Sequence, residues 1–447
     1  MLYTSLEACF AVAVEKPARF VLALSGGLDS RVLLHLMGRY LQAHPEASCK
    51  AVHVHHGLSP NADLWAERCA DWAAEAGISI EVERVSLILG KRMSVEQQAR
   101  DARYAALRDY ITPGTVLLTA QHADDQLETV LLALKRGSGP AGLSAMPQRM
   151  AFASGWLLRP LLDQPRIVIE QYANEHRLDW IEDESNSDER YDRNFLRHQI
   201  TPLLNSRWPG IRKAVARSAV LCGEQEALLQ ELLAEQLSQA ISADQSLGIT
   251  HLNPDQPGSE RRGKALLRFW FAAIGVKMPS QAQLEQVWHS VVLAKPDANP
   301  KVCWGDAEVR RFRQRLYVVQ PWPDASGSIL PVSVNQHCHL PSSLGSLLLA
   351  ESEDGHLRLP LYNEPVSVRF EPAGLEVQPV GRVGKRKLKK LFQEYGVPSW
   401  QRRRTPLIFY GEELAAVAGL FVVEAFAGKD CDLTWHYEQE KVHNIMT

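Results

Sequence analysis

The chain has 447 residues, 45% of them hydrophobic and 23% charged, with 49 basic against 52 acidic side chains and a formal net charge of −3. That length exceeds one ordinary core and suggests about three domains, and no stretch approaches the roughly 18 apolar residues of a membrane-spanning helix. The seven cysteines are scattered and never form Cys-x-x-Cys, which argues for reduced thiols over a disulfide framework, a zinc ribbon or an iron–sulfur site.

The first residues, Met1 to Val14, lack a basic leader before an apolar core and contain Glu7, a poor signal peptide, so a cytoplasmic location is expected. Short apolar runs then alternate with amphipathic stretches. This predicts strands near 20–24, 51–55, 79–85, 115–120 and 156–158, and helices over 30–42, 62–76, 95–110 and 125–135, the third with Ser94 and Gln97 at capping-box spacing. The pattern is that of a doubly wound α/β fold, a parallel five-stranded sheet covered on both faces. In such a sheet ligands bind beyond the carboxyl ends of the strands, so the turns after strands one and four should converge.

The first of those turns reads Ser25-Gly26-Gly27-Leu28-Asp29-Ser30. Glycines between a strand and a helix let backbone approach a phosphate, and the helix start offers free amides and a positive dipole end. Asp29 would repel phosphate unless a cation lay between them, which suggests a nucleotide bound with Mg²⁺. No Gly-Lys-Ser/Thr ending follows and the third glycine of the dinucleotide pattern is missing, so two better-known phosphate loops are excluded.

The second turn carries Gln121-His122-Ala123-Asp124-Asp125-Gln126-Leu127-Glu128-Thr129. Acids favour any helix start, but Asp125 and Glu128 share one helical face while Leu127, Val130, Leu131 and Leu134 are expected to bury the other. The acids could bind Mg²⁺ or the amino groups of a basic substrate. Lys135-Arg136-Gly137-Ser138-Gly139 then makes a basic, glycine-rich loop suited to pyrophosphate or an RNA backbone, although an ordinary helix C-terminus has the same composition. Further on, Arg193 and Arg197 stand one helical turn apart and would present two guanidiniums on one side.

From Trp208 a mainly helical segment is expected, with helical patterns at 263–273 and 280–292 and strand-like alternation over 302–319; Pro321 to Ser328 reads as a connection. A final α/β segment begins near Leu330 and has a late apolar strand at 415–423. Within it, nine basic residues (Arg382, Lys385, Arg386, Lys387, Lys389, Lys390, Arg402, Arg403 and Arg404) face one acid, Glu394. That local excess marks a polyanion-facing surface, with Phe392, Tyr395 and Trp400 interleaved as candidate stacking platforms or core. The histidine-rich spots, His53, His55 and His56 and the trio His337-Cys338-His339, lack metal-ligand spacing and are read as structural or solvent-facing.

These motifs together resemble the tRNA(Ile)-lysidine synthetase family of PP-loop ATP pyrophosphatases. The match rests on SGGLDS at 25–30, HVHHGL at 53–58, HADDQLET at 122–129, RGSGPAGLSAM at 136–146 and DESNSDERYDRNFLRHQITP at 183–202. Gln121 departs from it, standing where another histidine is often found. The resemblance implies ligation of L-lysine to carbon 2 of the wobble cytidine of the CAU-anticodon isoleucine tRNA, through an adenylated intermediate, with release of AMP and diphosphate. It implies ATP and Mg²⁺ as cofactors, with Ser25, Gly26, Gly27, Leu28, Asp29 and Ser30 holding ATP and Asp29 and Asp124 the metal. It further implies catalytic roles for Asp29, Asp125, Glu128 and Arg193, and tRNA contacts from Arg136, Arg197, Lys385, Arg386, Lys387, Lys389, Arg402 and Arg403. Expected domains are a catalytic one at 1–207, a helical tRNA-binding one at 208–320 and a basic one at 330–447; a homodimer is a candidate assembly. A thiolase of the same loop class would need paired cysteines, a small-molecule ligase would not need the basic segment, and a non-catalytic RNA-binding relic would not need the intact acids.

Overall fold

A computed structural model describes residues 2–13, 19–86, 95–295, 298–319 and 322–436. Contacts divide the chain into two compact units that meet near Leu233.

The first unit opens with helix α1 (Leu2–Ala13), the stretch read as a poor leader; Leu2, Leu6 and Phe10 recur every fourth residue and are all buried. There follow β1 (Arg19–Ala23), α2 (Leu28–Ala43), β2 (Ser48–His55), α3 (Ala62–Glu75), β3 (Ser79–Arg84), α4 (Val95–Arg108), β4 (Thr115–Leu118), α5 (Ala123–Lys135), α6 (Pro140–Leu143), β5 (Arg149–Phe152), β6 (Gly155–Leu158), α7 (Arg166–Glu175), α8 (Asp192–Phe195), a π turn (Leu196–Ile200), α9 (Thr201–Arg207) and α10 (Ile211–Ala240), which runs on into the second unit. The five expected strands form and are mutually parallel, in the order β3-β2-β1-β4-β6. A sixth, β5, adds an antiparallel edge to β6; its side chains are mostly exposed, so no apolar run announces it.

Strand β1 shows why helices cover both faces. Phe20 and Leu22 point into one core with Leu33, Met37 and Ile169, while Val21 points into another with Val52, Leu107 and Leu117. The sheet order reverses between β1 and β4, and the crevice beyond their carboxyl ends is where the two marked turns meet. Ser94, expected as the cap of α4, lies outside the described residues.

In the second unit, β7 (Leu247–Gly248), α11 (Glu260–Ala273), α12 (Gln281–Val287), β8 (Lys301–Trp304), β9 (Ala307–Phe312) and β10 (Arg315–Val319) build a four-stranded sheet, β7-β10-β9-β8, covered by Trp270, Phe271, Leu284 and Trp288. Ser280 and Gln283 cap α12 reciprocally. The same unit continues through β11 (Ile329–Pro331), β12 (His337–His339), β13 (Ser346–Glu351), β14 (Val366–Arg369), β15 (Glu376–Val377), β16 (Arg386–Lys387), α13 (Leu388–Glu394), β17 (Leu407–Tyr410), β18 (Glu413–Val417), β19 (Phe421–Val422) and β20 (Cys431–His436). The late apolar run at 415–423 is therefore a hairpin, turned at Gly419 with φ +70°. Phe392 is fully buried in this core and cannot stack on a ligand.

Candidate active site

The turn at 25–30 is shaped by its backbone. Gly26 has φ +87°, and a Cβ there would lie 2.6 Å from Ile181 Cδ1, so only glycine fits. Its carbonyl accepts from Ile181 N at 2.9 Å. Ser30 Oγ accepts from Gly26 N at 3.1 Å, donates to Gly27 O at 3.0 Å and lies 3.0 Å from Ser25 Oγ. Leu28 is buried and anchors the start of α2. The first amides of α2 lie beyond the reach of any helical acceptor, and the N-cap residue, Gly27, supplies no side chain to cap them.

Asp29 sits on that first turn. Its Oδ2 lies 3.6 Å from His122 Nε2, and its Oδ1 is buried with no hydrogen-bond partner among the described residues. Burial by itself would raise its pKa, but His122, Arg166 and Arg197 outweigh that and hold it below the ordinary carboxylate value.

His122, which sequence reasoning left out of the site, lies among its acids. It is fully buried and caps α5: its Nδ1 accepts from Asp124 N at 3.2 Å and Asp125 N at 3.4 Å, while Asp125 Oδ2 accepts from His122 N at 3.1 Å. An accepting Nδ1 puts the neutral ring's proton on Nε2, facing Asp29 and, at 3.4 Å, Asp125. Desolvation would lower its pKa, yet Asp125, Asp29 and Asp124 together raise it. An acid three residues after a residue at the helix start was the available signal.

The acids on α5 are all engaged. Asp124 Oδ1 accepts from Arg212 Nε at 2.6 Å and its Oδ2 from Arg166 N at 2.9 Å, so it ties the start of α5 to α7 and α10. Asp125 Oδ1 accepts from Arg197 Nη2 at 3.1 Å. Glu128, 1% exposed, accepts from Arg197 Nε at 2.9 Å and from its Nη2 at 3.1 Å, and Arg193 Nε lies 3.1 Å from its Oε2. Arg193 also donates to Thr129 Oγ1 at 3.0 Å. The two arginines share one side, as their spacing predicts, but they face this acid cluster. Burial raises the pKa of Glu128 despite both guanidiniums, with Asp125 adding to the rise. Of the apolar face expected on α5, Leu127 and Val130 are buried while Leu134 is 56% exposed.

His53 Nδ1 donates to Leu24 O at 2.9 Å, pinning β2 to the end of β1. His56, read as structural or solvent-facing, has both ring nitrogens buried with no hydrogen-bond partner among the described residues, and burial drives its pKa down to about 4. Arg136 is exposed at the end of α5.

The basic cluster of the second unit is mixed. Lys385, Arg386, Lys387, Lys389 and Lys390 are exposed, while Arg382 and Arg386 both pair with Glu394. Arg403 pairs with Glu371, Arg402 donates to Val397 O at 3.2 Å, and Arg404 is buried. Tyr395 stacks on Phe421 with ring centroids 5.2 Å apart.

Residues 3–204 match the family model of a PP-loop domain, 256–317 that of a TilS substrate binding domain and 366–439 that of a TilS substrate C-terminal domain. The chain is 62% identical to a tRNA(Ile)-lysidine synthase of Photobacterium profundum, over 97% of this chain and 99% of the other. It is 52% identical to those of Vibrio cholerae, over 95% and 96%, and of Vibrio vulnificus, over 93% and 95%.

Proposed function

The chain belongs to the tRNA(Ile)-lysidine synthase family, which ligates lysine to the wobble cytidine of tRNA(Ile) using ATP, and from that premise we propose how its residues divide the two chemical steps. The carbonyl at carbon 2 of cytosine is a poor electrophile and its oxygen a poor leaving group; adenylation corrects both. In the first step that oxygen attacks the α-phosphate of ATP and diphosphate leaves. The amides of the turn at 25–30 hold the phosphates there.

The orphaned, buried Oδ1 of Asp29 fits a ligand to Mg²⁺, which when bound offsets the charge gathering on the departing diphosphate. Asp124 would join it only by giving up Arg212 or the amide of Arg166. His122 holds Asp29 in place.

In the second step the side-chain amine of lysine attacks carbon 2, and the C–O bond breaks with its electron pair going to AMP. A free ammonium, with a pKa near 10.4, is no nucleophile, so a carboxylate must take its proton. Glu128, its pKa raised by burial, is the acceptor, with Asp125 beside it to orient the ammonium. Arg197 positions both acids, and Arg193 positions Glu128. The exposed lysines and Arg386 of the second unit, with Arg136, grip the tRNA backbone.

The seven unpaired cysteines support a reducing compartment, the cytoplasm. Among the described residues no helix is long and apolar enough to cross a membrane. Leu221, Leu228 and Leu232, exposed at helical spacing on α10, support a homodimer, which light scattering would test.

The observation that carries the reading is Asp29 on the first turn of α2, its Oδ1 buried with no partner among the described residues and its Oδ2 3.6 Å from His122 Nε2. Incubating the protein with ATP, labelled lysine and the CAU-anticodon isoleucine tRNA should yield ATP-dependent incorporation that Asp29→Ala abolishes. Incorporation that survives Asp29→Ala would refute this role.

A further inference from the structure

The second unit holds a cavity of about 410 Å³, within the roughly 300–1,000 Å³ of sites that enclose a small ligand. Its walls come from the β8–β9 hairpin, the segment 322–325 and the turn at Arg402–Arg404. Neither matched family model covers 322–325, since one ends at 317 and the other begins at 366.

Two indoles line it. Trp400 is fixed by Tyr317 and Phe312, with ring centroids 5.4 and 6.1 Å away, and Arg310 lies 5.6 Å from its ring. Trp322 is 40% exposed, and the guanidinium of Arg404 lies 4.6 Å from its ring. Arg404 is 8% exposed; its Nη2 donates to Ser342 O at 2.9 Å, whereas its Nη1 is buried and has no partner among the described residues. A buried guanidinium N–H is costly to leave without an acceptor. The cavity thus offers flat aromatic walls and a charged donor in need of an acceptor; Arg403 at its rim is paired with Glu371, and Asp306, Glu308 and Asp324 line it too. A planar ring with carbonyl or ring-nitrogen acceptors satisfies both, and the lining carboxylates keep its phosphate outside: the base of an unstacked nucleotide.

We propose that this cavity captures one unpaired nucleotide of the substrate RNA, its base laid on Trp322 and accepting a hydrogen bond from Arg404. The proposal rests on the tRNA-ligase reading above. It differs in kind from the basic strip at 385–390, which meets backbone whatever the sequence; this cavity meets a base.

Trp322 is exposed enough to replace without disturbing the core. Trp322→Ala should weaken tRNA binding by about 5- to 150-fold, the cost of one lost base stack, and leave ATP affinity and the salt dependence of tRNA binding unchanged. In base-specific chemical probing, one unpaired base shielded by the wild-type protein should become reactive with Trp322→Ala, and Trp322→Phe should restore most of its shielding. Wild-type affinity and an unchanged footprint for Trp322→Ala would overturn the proposal. Mononucleotides form a separate arm: tryptophan quenching by AMP or CMP that Trp322→Ala abolishes, with an unaltered tRNA footprint, would make this a free-nucleotide site and overturn the RNA assignment. A wild-type protein that binds no tRNA at all would instead overturn the functional reading on which the proposal rests.

Discussion

Two regions face one crevice in the first unit, and they treat their polar atoms differently. In the turn at 25–30 the serines satisfy each other and Gly26, α2 has no side-chain cap, and one oxygen of Asp29 has no partner among the described residues. At 124–128 all six carboxylate oxygens of Asp124, Asp125 and Glu128 already have donors from arginines or backbone. The turn keeps a buried acceptor unengaged, whereas the acids are held in register by their donors. A count of acids near a phosphate loop therefore overstates how many can bind metal.

That difference can be broken from the acid side first. Arg197→Ala should leave Glu128 buried with only Arg193 to pair, a loss of about 3 kcal/mol, the low end for a broken buried pair. For a unit of this size the melting temperature should fall by about 6–12 °C; calorimetry showing no change would mean the pair contributes little.

On the tRNA side, joint replacement of Lys385, Arg386 and Lys389 by Ala should lower the slope of log affinity against log salt by about three, one for each lost phosphate contact, with ATP binding intact. An unchanged slope at moderate salt would remove the strip from the interface.

A smaller effect concerns pH. Burial lowers the pKa of His35 and of His56 from 6.5 to about 4. Between those values the unfolded chain binds more protons than the folded one, so stability should decline as pH falls from about 6.5 towards 4. Melting curves between about pH 7 and pH 5 would show it, with a flatter profile for His35→Gln; a melting temperature that rises on acidification would contradict the assignment.

The parallel sheet was legible because its strands are continuous apolar runs that bury both faces, as Phe20, Val21 and Leu22 do. Strand β5 was not, since its exposed residues carry no such signal, and α1 was hidden by the question of a leader. Within the site, the turn could be read locally, as glycine and serine act on their own neighbours. The role of Asp124 could not, because its partner Arg212 lies 88 residues on. Nor could Arg404, one of three consecutive arginines, be told from Arg403 until the fold buried it against Trp322. His122 lay between these cases: its capping geometry was in the sequence, its contact with Asp29 was not.

The central claim is that the turn serves adenylation and the acid pair serves the attack by lysine. ATP–diphosphate exchange and lysine incorporation, measured side by side with tRNA for Asp29→Ala and Glu128→Gln, test it most directly. Asp29→Ala should lose both activities by about 10²–10³-fold, while Glu128→Gln should keep the exchange and lose incorporation. Exchange lost equally in the two variants would contradict the division of labour.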